Sequence, residues 1–395
     1  MMKEVKRNLR LVIFESVIAA GLLSIPIMTP FFLDIGLNQQ QIAQTQMIFT
    51  IVIMVLNIPT GWLADRFSRK WSNVIGDFGC ALTLLLYSQV QGFSGVVGCE
   101  ILFGIFLAFS QGVDASLLKH FTSKLDDSGK LFKTTTAKIA AWQYAVNFVV
   151  MLLGGPIGAI SFRLAIALSA VTFVLSGIAA LLIRDDSENL QPVHKNPLKD
   201  MGRIVKVAAR DKTLRLRIFA FAVSRETTHG IIWVFTPLML LVGVPLSIVS
   251  LGWVINSAAS FIGAKAAQRY VNRLPEWKIF AIPIALITIG LGVMSIHFSI
   301  VTIWLYLLMG VTQGWTNAAM LPLVQNRVSP SEQTSIISVA KVVAQFIYIP
   351  TVWLIGLAAD IKLEYSMLMT LVIFLPISIP IIAKLRAESK QKTSD

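Results

Sequence analysis

The stretch Gly61-Trp62-Leu63-Ala64-Asp65-Arg66-Phe67-Ser68-Arg69-Lys70 packs one acid and three bases into the short polar gap between two long apolar runs, Ile42 to Leu63 and Trp71 to Val90. A run of roughly 20 mainly apolar residues spans about 30 Å of hydrocarbon as a helix, so the quoted stretch reads as a tight turn joining two membrane-crossing helices. Its glycine admits close helix packing, and its charges can pair across the ends of neighbouring helices.

Outward from that turn the same pattern repeats along the chain. Spans are expected at Leu11 to Phe32, Ile42 to Leu63, Trp71 to Val90, Phe93 to Leu117, Ile139 to Ile160 and Leu164 to Ile183. Six more are expected at Ile218 to Val242, Leu246 to Ala267, Trp277 to His297, Ile300 to Val324, Ile336 to Ala359 and Ser366 to Ala383. The connections between spans three and four and between nine and ten are the tightest. Composition agrees: 55% of the 395 residues are apolar and the mean hydropathy is +0.72, too much apolar surface for a set of soluble domains. The expected fold class is an all-α membrane protein of twelve transmembrane helices. It comprises a six-helix bundle over 1–183, a linker over 184–215 with a candidate amphipathic helix, and a second bundle with its tail over 216–395. In the linker, Ile204, Val207 and Ala208 share one helical face among basic residues, which suits a helix resting on anionic headgroups and equally suits a solvated connection.

Lys and Arg near span ends stay on the cytoplasmic side. With the amino terminus inside, 30 of the 34 basic residues fall in inner segments; only Arg163 and Lys362 fall in outer loops, and Arg225 and Lys341 lie within spans. Both termini are therefore expected in the cytoplasm, with the first span retained rather than cleaved. The formal charge of +13 reads as a topology signal and not as a nucleic-acid footprint. Cys80 and Cys99 lie in apolar runs and the four histidines are scattered, so neither a disulfide framework nor a metal site is expected, and no cofactor. There is no HExxH, nucleophile elbow or glycine-rich phosphate loop, which argues against an integral-membrane enzyme and against ATP drive.

The quoted turn closely resembles the signature between helices two and three of the major facilitator superfamily: glycine, three residues, acid, base, any, glycine, base, base. Ser68 stands where glycine is usual. The resemblance covers essentially the whole chain and implies two six-helix halves around a central cavity lined by helices one, four, seven and ten. It further implies a conformational switch of Gly61, Asp65, Arg66 and Arg69 with Asp114 at the cytoplasmic end of helix four, which latches one state of the carrier; a charge group that only sets topology is the plainer reading. Gly263 to Arg269 is a faded counterpart in the second half, its acid lost. In span five, Gly155, Pro156 and Gly158 resemble part of the antiporter motif of exporters in this superfamily, with Met151 and Ala159 replacing expected glycines; they also read as a packing notch.

Ionisable groups inside spans are costly and so mark function by default. In span seven, Ser224-Arg225-Glu226-Thr227-Thr228-His229 puts Arg225 roughly 10 Å below the interface and His229 near the bilayer centre, with His229 bordering both charges at helical spacing. Glu15 and Glu226 are the candidates for proton coupling, with His229 as relay. For Glu226 a static pair with Arg225 stays open, as does a salt bridge near Arg10 for Glu15. Asp77 reads as structural, because the resemblance places helix three outside the cavity wall. The expected substrate-contacting set is Arg225, Glu100, Gln111, Gln143, Asn147, Gln313, Asn317, Lys341 and Gln345. Glu100, Gln111 and Asp114 fall at offsets that share one helical face. Arg225 and Lys341 suit an anionic or zwitterionic solute, or serve internal pairs. The functional expectation is a monomeric secondary transporter whose partners are a small-molecule substrate, protons and lipids. It exports amphiphilic drugs or metabolites by proton antiport and alternating access, the alternative being a symporter that imports an organic anion.

Overall fold

A computed structural model gives the architecture. It describes residues 2–66, 68–111, 113–126, 128–184, 202, 206, 210–325, 327–328 and 333–394, with the side chains of 57–59, 61–66, 133, 333–335 and 391–394 outside the description. The helices are α1 Met2–Ile18, α2 Met28–Asp34, α3 Gln39–Arg66, α4 Arg69–Tyr87, α5 Gly92–Ser110, α6 Val113–Ser123, α7 Lys130–Ile160 and α8 Phe162–Leu182. The second series is α9 Lys212–Gly230, α10 Ile232–Leu241, α11 Val249–Tyr270, α12 Glu276–Ile296, α13 Leu307–Trp315, α14 Leu321–Gln325, α15 Gln333–Ile361 and α16 Tyr365–Ser394.

Each of the twelve expected spans is occupied by helix, and the tight connections fall at 88–91 and 297–301, as read from the sequence. Seven described helical stretches are long and apolar enough to cross a membrane by length and composition alone. Large apolar side chains such as Val171, Ile289 and Val372 are exposed along them, as lipid-facing surfaces require. Local chemistry explains the helix starts. Ser68, the departure from glycine in the 61–70 turn, caps α4 by accepting from the Trp71 N–H at 3.3 Å. Ser161 caps α8, and Asp211 caps α9 through the N–H groups of Thr213 and Leu214 at 2.9 and 3.0 Å. Before α7, Gly129 takes φ 71°, a conformation that suits glycine, while Asp126 accepts from Leu131 N at 2.7 Å.

Among the described residues, the first, fourth and seventh spans are interrupted and the tenth changes helix type along its length. The first pauses between α1 and a 3₁₀ turn at Ile25–Ile27 that contains Pro26. The fourth breaks after Ser110, where Gln111 turns extended with ψ 119°. The seventh breaks at Ile231, and the tenth runs from a 3₁₀ turn at Thr302–Tyr306 through α13 into a π-helical segment at Thr316–Met320. Interrupted helices free backbone groups at membrane depth, which is tolerated where they are buried in protein or line a cavity.

By contacts the chain divides into two compact units. The first comprises Met1–Leu37, Ile48–Pro197 and Leu246–Ser250; the second comprises Asn38–Met47, Leu198–Pro245 and Leu251–Asp395. The first has a core in which Val5 and Val12 of α1 pack with Leu117 and Phe121 of α6. In the second, Phe221, Phe280, Trp315 and Ile336 meet.

Candidate functional site

In the first unit, four helices converge on a polar cluster. Asn73 of α4 donates through its Nδ2 to Oε1 of Glu15 on α1 and, at 2.6 Å, to Oδ1 of Asp114 on α6. One turn further along α4, Asp77 accepts at 2.6 Å from the hydroxyl of Ser176 on α8. Glu15, Asn73 and Asp77 are essentially sealed from solvent, at 1%, 0% and 2% exposure. Asp114 sits in the first turn of α6, where the unpaired N–H groups of a helix start favour an anion. This puts three carboxyl groups together with amide and hydroxyl donors and no cation among their described hydrogen bonds. Glu15 Oε2 and Asn73 Oδ1 are buried without a hydrogen-bond partner.

A cavity of about 350 Å³ adjoins this cluster within the first unit. Asp77, Asp114, Gln111 and Gln143 are on its wall, and Gln143 Nε2 donates to the Ser16 carbonyl at 2.8 Å. Asp77, expected to be structural because the resemblance places its helix outside the central cavity wall, lines this cavity. Glu100 is buried beside Tyr87 instead of joining Gln111 and Asp114. The break after Ser110 resets the helical register, so offsets counted through it no longer mark one face. Asn147 has a buried Oδ1 without partner. Asn73 and Ser176 were missed by sequence reasoning; polar residues spaced within otherwise apolar spans three and six were the only signal.

In the second unit the charges cluster on α9. Arg225 Nη1 lies 3.2 Å from Glu226 Oε1, and His229 Nδ1 lies 3.6 Å from Glu226 Oε2. The Glu226 side chain is 3% exposed, whereas those of Arg225 and His229 keep 27% and 31%. Lys341 lies on α15, the helix packed along α9. A buried carboxylate thus carries two partly open basic groups on its own helix, with a third cation nearby, an arrangement with capacity left for an anion. Gln345 sits half-buried one turn beyond Lys341, and Trp233 Nε1 donates to Tyr348 Oη at 3.0 Å between the same two helices. Gln313 accepts from Ser260 Oγ at 3.4 Å, and Asn317 is exposed in the π-helical segment.

The switch residues Gly61, Asp65 and Arg66 lie outside the described side chains. Arg69 is buried in the first turn of α4 and is itself engaged. In span five, a side chain on Gly155 would strike Ser250 and the carbonyls of Leu246 and Ser247, and one on Gly158 would strike Ile27. Both glycines therefore serve close packing within the first unit. Arg217 at the start of α9 is 4% exposed and grips Glu276 of α12 with two N–H groups, a pairing the sequence showed only as topological charge.

Broken helices with charge inside them and a cavity beside a buried carboxyl cluster define a multi-pass membrane carrier. The family model of the Major Facilitator Superfamily matches residues 12–351, and the chain belongs to that superfamily, whose members are secondary transporters. A comparison with curated proteins found no match. Among solved structures, the chain is similar to an aspartate-to-alanine mutant of the nucleoside transporter NupG, with TM-score 0.79 and 15% identity, covering 97% of this chain and 99% of that one. It is also similar to a bacterial homologue of the human lysosomal transporter Spinster, in an inward-facing and occupied conformation. There the TM-score is 0.73 at 12% identity, covering 96% of each chain. At these identities the likeness is one of fold.

Proposed function

We propose that the chain is a proton-coupled carrier of small amphiphilic solutes bearing anionic or zwitterionic groups, working by alternating access in the bacterial inner membrane as a monomer with both termini in the cytoplasm. Glu15 is the coupling carboxyl, and the observation that carries this is its sealed position against Asn73 and Asp114 with Oε2 left without a partner. Glu226 and His229 form a second proton-handling pair, and Arg225 and Lys341 grip the solute's anionic end. Gly61, Asp65, Arg66, Arg69 and Asp114 act as the conformational switch.

Export by antiport is the leading direction. The symport reading draws support from the packing role of Gly155 and Gly158, which accounts for the exporter-like residues without any export, and from the two cations at the second cluster. Purified protein in liposomes loaded with a pH-sensitive dye separates the two. With a panel of drugs, peptide-like metabolites, nucleosides and organic acids, proton flow opposite to the solute is expected. Co-directional flow would replace antiport with symport. Solute transport that moves no protons would remove coupling altogether.

A further inference from the structure

The cavity of the first unit has a chemistry opposite to that of the Arg225 cluster. Its volume, about 350 Å³, falls in the range of small-molecule sites. Asp77 and Asp114 stand on the wall, the rings of Phe103 and Phe173 meet there edge to face at 5.9 Å and 90°, and no basic side chain is among the described lining residues. Behind Asp114, both hydrogen bonds described for the Asn73 amide nitrogen go to carboxylates, leaving Glu15 Oε2 and Asn73 Oδ1 buried and unpartnered. Ser16 and Ser176 add one hydroxyl each, to Asp114 and Asp77, yet three carboxyls still offer more acceptor positions than these donors fill. An anionic solute would deepen that imbalance; a cation carrying N–H groups relieves it. The cavity is far larger than a bare metal ion needs, and no three acid, His or Cys side chains among the described residues are grouped to hold one.

We infer that this cavity is a binding site for a small organic ammonium, a primary or secondary amine joined to an aromatic or compact apolar group. Asp77 and Asp114 take its N–H groups, and Phe103 and Phe173 cover its apolar part. The inference rests on the reading of the chain as a solute carrier and names a solute class to which Arg225 and Lys341 are unsuited.

The test is saturable binding of radiolabelled phenethylamine to the full-length protein in lipid nanodiscs, with phenylacetate and 2-phenylethanol as competitors of the same shape but opposite or no charge. Phenethylamine is expected to bind, and each competitor to displace it at least about tenfold less well than unlabelled amine. Asp77→Asn and Asp114→Asn are each expected to weaken binding at least about tenfold, as removal of one charge-assisted hydrogen bond does. Ala20→Phe, which fills the cavity without altering a carboxylate, is expected to abolish binding and decides the matter if an Asp variant does not fold. No saturable binding by the unaltered protein, equal displacement by phenylacetate, or undiminished binding in the folded variants would overturn the inference. Because solute-driven proton flow is a separate readout, absent amine binding with intact proton flow sinks this inference alone. Amine binding without any proton flow sinks the coupling reading alone.

Discussion

In the first unit, Glu15, Asp77 and Asp114 come from three helices and are stitched by Asn73 and Ser176; in the second, Arg225, Glu226 and His229 sit within five residues of one helix, with Lys341 added from a neighbour. The first cluster exists only when α1, α4, α6 and α8 have packed, and its charges are all of one sign. The second is largely made by helical spacing and mixes both signs. A carrier needs one group that changes charge and another that holds a solute. Crowded acids suit the first task, and open cations steadied by a buried carboxylate suit the second.

The largest effect expected from breaking this division is all-or-none. Glu15→Gln keeps the hydrogen-bonding shape beside Asn73 but removes the titrating group, so accumulation driven by a pH gradient is expected to fall to background in liposomes. Arg225→Gln instead is expected to impair solute affinity, and the double change of Arg225 and Glu226 to Gln to be milder than the sum of the two single changes, because the pair is internal to α9. Strict additivity would show that Glu226 works independently of Arg225.

Next in size is the buried pair that anchors α9. Glu276→Gln leaves Arg217 charged and 4% exposed without its partner, which is expected to lower stability by about 3 kcal/mol in thermal unfolding. Adding Arg217→Met is expected to recover much of that loss. Smaller again is a contrast between close-packed glycines. A Cβ on Gly314 would lie 1.8 Å from the Ser260 carbonyl oxygen, which cannot swing away, whereas one on Gly79 of the first unit would meet the Phe106 ring at 2.1 Å, which can. Gly314→Ala is therefore expected to cost about 1–3 kcal/mol and Gly79→Ala less, read by the same unfolding measurement.

The smallest effect lies outside the spans. Hydrogen bonds from Ser128, with that from Leu131 N–H, hold the Asp126 carboxyl below the usual carboxylate range. A depressed group stabilises above its unfolded pKa, and that contribution disappears as pH falls through the folded value. Asp126→Asn is accordingly expected to lower stability slightly at neutral pH and to flatten its fall on the acid side.

The same contrast explains what could be read in advance. Twelve spans, their tight joints and the α9 charge group follow from local runs and helical spacing, so they were legible. Glu15 was legible as a costly intramembrane acid, but not its partners: nothing near residue 15 marks Asn73 or Ser176, which reach it only through helix packing. Gln111 and Asp114 do share one cavity wall, but Glu100 is not on it: offset arithmetic presumes a continuous helix, and Gln111 turns extended after Ser110. Arg217 counted only among the inner basic charges, and nothing marked Glu276 as its partner until α9 and α12 packed together.

The division of labour is tested most directly by measuring, for one transported anionic or zwitterionic solute, both exchange across liposomes at equal pH and accumulation driven by a pH gradient, in the unaltered protein, Glu15→Gln and Arg225→Gln. The account predicts that Glu15→Gln keeps exchange and loses accumulation, while Arg225→Gln loses both at low solute concentration. Full accumulation by Glu15→Gln, or unaltered exchange by Arg225→Gln, would contradict it.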